Sequence, residues 1–387
     1  SQAAGMVVSI IVSVALVFVS LMLVRTNTML YSVTQGRTYD ISRYDVAVRA
    51  DNPAQTILDA ADYTFAIQMS NHQDDLSSVI QQIQEDVGSE IRTVQLDSSL
   101  EQAEALLNGN IDALIYNDAF TSTILEQYEN YEDEIRILNT YTVKTEAEEI
   151  QTVAVDINSD ALLLYISGTD SEGEISMTGR SDVNIVAGIN AGSKQILLLS
   201  VPRDYYVEFP GITAAGTRDK LTHAGIYGMD ELMATMENLL GIDLSYYVRV
   251  NFSSMTNIVD AIGGVTIYNE QEFISHGGYY FPAGYVDMDG EYATHYVRER
   301  LAFEDGDFAR GRNQIKVIQA MMDKLLSANT LVNYTAITDA ISKFAATNIP
   351  SKDIMDLVKL QLSDNPQWHV VSYQLLGEVM MQLCQSA

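Results

Sequence analysis

Apolar residues along this chain follow two kinds of run, and the way they are interrupted divides the sequence. Short stretches of strand length alternate with segments whose apolar positions recur every three or four residues, the period of a helix with one buried face. Between Thr26 and Ile150 the order is "YTFAIQM", then "DDLSSVIQQIQEDVG" with Leu76, Val79, Ile80 and Ile83 on one face, then "IRTVQL", "SLEQAEALLNGN" and "IDALIYN". Strand and helix alternate, which predicts a small α/β unit over residues 26–150. Beyond it the strand-like runs lose their polar interruptions: "ALLLYISG", "DVNIVAGI", "KQILLLSVP" and "YYVRVNF". Runs so apolar suit strands covered on both sides. With "GMDELMATMENLLG" and "SSMTNIVDAIGG" as helices, residues 151–387 predict a central sheet, largely parallel or mixed, flanked by helices. "TVKTEAEEIQ" reads as the crossing between the two units.

The first 25 residues fit neither pattern. "AAGMVVSIIVSVALVFVSLMLV" is 22 residues without a charge, ending at Arg25. As a helix it would reach roughly 33 Å, enough for a hydrocarbon core of about 30 Å. A cleaved leader has a shorter apolar region and a small-x-small site, which "LMLVRTN" lacks, so residues 1–25 predict a transmembrane anchor.

Composition narrows the function. The 387 residues are 47% hydrophobic and 19% charged, with a formal charge of −30, so the chain folds and has no use for nucleic acid, whose phosphates demand a basic surface. Its one cysteine, Cys384, can form neither an intrachain disulfide nor a thiolate metal site. His223, His276 and His295 lack the spacing of a zinc site or a serine triad. The acidic run "EQYENYEDE" reads as a solvated helix face.

Against this acidic background "VRERLAFEDGDFARGRNQ" concentrates Arg298, Arg300, Arg310 and Arg312. Arg298 and Arg300 would end one helix, where the dipole favours cations. Asp307 would cap the next, placing Arg310 and Arg312 in a first turn that disfavours them, so something anionic must compensate. Two sources are open: the neighbouring Glu299, Glu304, Asp305 and Asp307, or an external anion held by guanidinium forks. "TGRSDVN" and "LSVPRD" add Arg180, Asp182, Arg203 and Asp204 at the ends of buried strands, and "SGTD" adds Asp170. Charges beside strands this apolar need partners. Asp170 and Asp182 form a possible carboxylate pair for Mg²⁺, Asp170 alone being equally at home in a turn. Asp307 is both a helix cap and a candidate base for a sugar hydroxyl. The Met-rich helices read either as core or as walls of a slot for a lipid tail.

Taken in order, "SGTD", "GRSDVNIV", "LLLSVPRD", "DKLTHAGIYG", "VRVNF", "IVDAIGGVTI" and "VRERLAFEDGDFARGRNQ" resemble the LytR-CpsA-Psr family of bacterial cell-envelope proteins, across residues 155–330. The preceding unit resembles, more loosely, the accessory domain of capsule-associated members. The resemblance implies a membrane-anchored extracytoplasmic transferase that moves a glycopolymer, capsular or teichoic-acid-like, from a polyprenyl-pyrophosphate carrier to peptidoglycan. Its partners would be that carrier, peptidoglycan, the cytoplasmic membrane and capsule-synthesis proteins. It implies pyrophosphate contacts from Arg180, Arg203, Lys220, Arg298, Arg300, Arg310 and Gln314, and a magnesium pair in Asp170 and Asp182. Arg180, Arg203, Arg298 and Asp307 are then the expected catalytic set. A pyrophosphatase that releases the glycan to water, or a non-catalytic protein that binds the carrier lipid, would carry the same residues.

Overall fold

The computed structural model describes residues 39–68, 73–146, 161–170, 175–211, 218–325, 344–364 and 366–378. Its first sheet is organised by the two strands that the hydrophobic pattern marks least. β1 (Tyr39–Arg49) lies antiparallel to a partner, Ile135–Glu146, in register from Tyr39 opposite Glu146 to Arg49 opposite Ile135. In chain order the others are β2 (Thr64–Gln68), β3 (Arg92–Leu96) and β4 (Ala113–Asn117), which makes Ile135–Glu146 β5. The order across the sheet is β3-β2-β4-β1-β5. "TVKTE", expected to begin the crossing, is therefore the end of β5. Tyr141 and Val143 point inward while Thr142 and Lys144 point out, and this alternation keeps the segment in the sheet.

Helices cover both faces of this sheet. Gln73–Val87 lays Leu76, Val79 and Ile83 against Tyr44, Val46 and Val48, and Ser99–Leu107 lays Ala103 and Leu106 against Ala47, Ala66 and Leu114. The acidic run spans two short helices, Thr121–Gln127 and Tyr131–Glu134. Most of its carboxylates are exposed as expected, but Tyr131 is fully buried.

The second sheet is mixed. β6 (Leu162–Thr169), β7 (Val183–Asn190) and β8 (Gln195–Ser200) form an antiparallel meander. After a small hairpin of β9 (Tyr206–Glu208) and β10 (Arg218–Lys220), β11 (Tyr246–Asn251) joins β6 in parallel. Two further ribbons follow, β12 (Val265–Asn269) with β15 (Gly284–Met288), and β13 (Phe273–Ile274) with β14 (Tyr280–Phe281). β16 (Ala346–Thr347) and β17 (His369–Gln374) close the edges in the order β16-β11-β6-β7-β8-β17. Tyr165 and Val186 pack under Leu232, Met233 and Met236 of the helix Met229–Leu240. Their neighbours Ile185, Ala187, Ile196 and Leu198 pack under Ile315 of the helix Asp307–Leu325. Met229, Met233 and Met236 are thus core residues.

The two units touch through Tyr227, whose ring stands edge-on to Phe120 at 5.8 Å and to Phe209 at 6.1 Å. Among the described residues no helix is long and apolar enough to cross a membrane, and residues 1–25 lie outside those described.

Candidate active site

Strand direction assembles the site. β7 runs against both β6 and β8, so the end of β6, the start of β7 and the end of β8 share one rim of the sheet. Asp170 just past β6, Asp182 just before β7 and Arg203 just past β8 meet there. The Asp182 N–H donates to the Gly168 carbonyl at 2.7 Å, which locks the two aspartate segments side by side. The Arg203 guanidinium bonds the Asp182 carboxylate and lies 3.8 Å from Asp204 and 3.7 Å from Asp307.

The Arg180 segment is held from below. Arg249 of β11 is completely buried, and its guanidinium donates to the carbonyls of Ser176 (3.1 Å) and Gly179 (2.9 Å) and to the Ser167 hydroxyl (2.7 Å). Gly179 turns with φ of 119° and donates its N–H to the Gly225 carbonyl at 2.9 Å. A Cβ on Gly225 would stand 2.5 Å from the Gly179 carbonyl oxygen, so the approach requires glycine there. Arg180 is carried outward and meets Glu126 of the first unit at 3.2 Å. Glu126 also takes Lys220 at 2.5 Å and stands 3.8 Å from His223 Nε2, an ion-pair separation without a hydrogen bond. The other ring nitrogen of His223 is 2.9 Å from the buried Asp219.

The arginine-rich stretch approaches from the side. Arg298 closes the helix Gly290–Arg298, donates to Asp170 at 2.9 Å and lies over the Phe252 ring at 4.5 Å. Arg300 lies beyond that helix and pairs with no carboxylate among the described residues. The following helix starts at Asp307 itself, so this residue occupies its first turn rather than its cap. Arg310 thus ends the first turn and Arg312 lies in the second, and the compensation sought for them is local: Arg310 bonds Asp307, and Arg312 bonds Asp305 at 2.5 Å.

These groups surround a cleft of about 1140 Å³. Arg180, Arg203, Lys220, Arg300, Asp170 and Asp182 line it. Arg298, Arg310, Asp307 and Gln314 do not: Arg298 sits at the rim on Asp170, Arg310 and Asp307 stand behind Arg203, and Gln314 is buried one turn further along the same helix face. The facing wall comes from the first unit, with Arg43, Asp118, Thr121, Ser122 and Glu126. The sequence pattern does not single out Glu126, Arg249 or His223. Glu126 is one carboxylate in an acidic run, and only tertiary contact distinguishes it.

Burial and pairing split the carboxylates. Burial alone would raise Asp182, but Arg203, Arg310 and Arg180 together hold it below the usual range. Burial raises Asp170 against the pull of Arg298, and the nearby Asp182 charge raises it further. Burial raises Asp307 too, with Arg310 and Arg203 opposing. Glu126 is held far below the usual range by His223 and then, against its burial, by Lys220 and Arg180.

Asp170 and Asp182 line one cleft, close enough for the Asp182 charge to act on Asp170, which fits a shared hard cation. Among the described residues no cluster of three or more metal-ligating side chains occurs, so the remaining ligands of such an ion would be phosphate oxygens and water. That division of ligands is the habit of Mg²⁺.

The LytR_cpsA_psr family profile matches residues 121–385. The chain belongs to that family. Its relatives include the polyisoprenyl-teichoic acid–peptidoglycan teichoic acid transferase TagU of Enterococcus faecalis, 38% identical over 195 residues, which are 50% of this chain and 63% of that one. TagU of Bacillus anthracis is 34% identical over 202 residues, covering 52% and 65%. The chain thus spans a little under two thirds of the length of these curated relatives. Protein gbs0355 of Streptococcus agalactiae shares the mixed α/β fold, with a TM-score of 0.53 and 28% identity over 61% of this chain and 84% of that one. The LytR-CpsA-Psr match opens at residue 121, so it includes the short helix that carries Glu126.

Proposed function

We propose that this member of the LytR-CpsA-Psr family transfers a teichoic-acid-like glycopolymer from a polyprenyl-pyrophosphate carrier to peptidoglycan, at the outer face of the cytoplasmic membrane. The observation that carries the reading is the convergence of Arg180, Arg203, Lys220 and Arg300 with Asp170 and Asp182 on one cleft. A pyrophosphate presents several anionic oxygens, and guanidinium groups grip them in pairs without losing charge. The names of the relatives favour teichoic acid over a capsular polymer. The membrane setting rests on the apolar run of residues 1–25.

In the proposed reaction an acceptor sugar hydroxyl attacks the glycan-side phosphorus, the bridging P–O bond to the lipid-side phosphate breaks, and polyprenyl phosphate departs, the hydroxyl proton passing to the departing phosphate or to solvent. Arg203 and Arg180 neutralise the charge that gathers on it. Asp182 fixes the direction of the Arg203 fork, and Asp307 braces Arg203 and Arg310 from behind. These contacts favour bracing over proton acceptance as the role of Asp307. Bound Mg²⁺, held by Asp170 and Asp182, would supply further neutralisation of phosphate charge.

The test incubates the full chain in bilayer discs with a synthetic polyprenyl-pyrophosphate oligosaccharide, Mg²⁺ and peptidoglycan fragments, followed by mass spectrometry. A covalent glycan–peptidoglycan product that disappears with Arg203→Ala and Asp182→Ala is expected. Free glycan without any adduct would instead make the protein a pyrophosphatase, and intact carrier under all conditions would make it a binding protein.

A further inference from the structure

The cleft has two walls of opposite character, and pyrophosphate accounts for only one. Its volume of about 1140 Å³ lies at the upper end of small-ligand sites, well beyond the needs of two phosphates. On the second wall, Arg43 is bonded at 2.7 Å to Asp118, and Glu126 and Glu132 bring further negative charge. One guanidinium against three carboxylates leaves a net negative surface, which repels phosphate oxygens. The first wall sets four cations against Asp170, Asp182 and Asp204 and is net positive. The charges therefore place a phosphate on one side and exclude it from the other.

What the second wall does offer is hydrogen bonding without an anion. The Ser122 hydroxyl lines the cleft and makes no hydrogen bond with the described residues. Thr121 has only a long contact of 3.4 Å to the Tyr116 hydroxyl. The Arg43 side chain is 64% exposed and bonds Asp118 through Nε, so its two terminal nitrogens make no hydrogen bond with the described residues. Leu125 and Ile41 also line the cleft and add apolar surface. Hydroxyl donors and acceptors together with apolar surface match a pyranose ring, which has O–H groups on its edge and C–H groups on its face. The wall is also fixed in place, because Glu126 holds it to Lys220 and Arg180 and Tyr227 wedges it against Phe209.

We propose that this accessory wall is a subsite for a neutral, hydroxyl-rich sugar lying directly beside the pyrophosphate. The sugar belongs either to the acceptor glycan or to the first residues of the carrier-linked polymer, whose hydroxyl chemistry is the same. The assignment deepens the transferase reading and rests on it for the reaction, though not for the binding.

The test compares the full chain with Ser122→Tyr, which fills the wall, and Arg43→Ala, which removes its donor. Calorimetry measures four probes: inorganic pyrophosphate, a neutral tetramer of β-1,4-linked N-acetylglucosamine, and a short-chain polyprenyl pyrophosphate with and without an attached oligosaccharide. The expected result is tetramer affinity about tenfold weaker in Ser122→Tyr, with pyrophosphate affinity unchanged within about twofold. If the loss appears only as a smaller advantage of the sugar-bearing carrier over the bare one, the subsite stands and the sugar is the donor's. Sugar affinities untouched in both variants overturn the proposal, as does an equal loss of pyrophosphate affinity. Sugar binding that persists in a protein with no transfer activity would sink the transferase reading and leave the subsite standing.

Discussion

The two α/β units handle charge differently. Among the described residues of the first, the one buried charged side chain is Asp75, met by the Thr145 hydroxyl. The second buries Asp182, Asp219, His223, Arg249, Glu299 and Arg310 among others. Removing a charge from water costs several kcal/mol unless partners surround it, so such a population accumulates where the chemistry requires it. The first unit behaves as a scaffold that lends a wall. The second maintains a network of paired charges whose members cannot be removed singly.

Arg203→Ala should give the largest effect, because it strands the buried Asp182 carboxylate. We expect transfer to fall by about 10²-fold or more, and unfolding free energy by about 3 kcal/mol, checked by product assay and urea titration. Arg249→Leu comes next, although Arg249 does not line the cleft. Losing its bonds to Ser176, Gly179 and Ser167 should cost about 3 kcal/mol and weaken pyrophosphate binding by releasing the Arg180 segment. An Arg249→Leu protein with full affinity would show that the segment holds itself.

Glu126 tests the seam between the units. Glu126→Gln frees Arg180 and Lys220 of an internal anion and should tighten pyrophosphate binding about fivefold. Looser binding would instead mean that Glu126 is needed to align them. The seam also carries a pH signature. The pKa of His223 is raised above its ordinary 6.5 by Asp219 and Glu126, which outweigh burial, so its stabilising contribution is complete below that value. That contribution fades as pH rises through the folded value. Glu126, being depressed, contributes fully above the ordinary glutamate range and loses its effect as pH falls through its folded value. His223→Gln should flatten the alkaline limb of melting temperature against pH, and Glu126→Gln the acid limb. Arg312→Ala marks the lower end of the scale. Its exposed pair with Asp305 should be worth under about 1 kcal/mol, with transfer unchanged.

Much of the second unit was legible because burial writes itself into sequence. Strands such as "KQILLLSVP" admit few alternatives, and once their directions are fixed Asp170, Asp182 and Arg203 must share a rim. β1 and β5 were harder to see, since "ISRYDVAVR" and "IRILNTYTVKTE" mix polar and apolar residues in the manner of half-exposed strands. The helix Asp307–Leu325 is visible in the sequence, yet it begins at the residue that the pattern suggests as its cap, a common ambiguity at helix ends. Glu126 and Arg249 stayed hidden for a different reason. Their significance lies in partners 54 and 70 residues away, Arg180 and Gly179, and no local pattern encodes such distances.

The pairing of cleft cations with the chain's own carboxylates has a kinetic consequence. Arg180, Lys220 and Arg203 already hold Glu126 and Asp182, so under the proposed reaction an arriving pyrophosphate would trade places with, or share, a tethered anion. In that reaction the cleft would work as an ion exchanger. Each phosphate that leaves would be met by a returning carboxylate, which would favour release of a spent lipid phosphate over its retention.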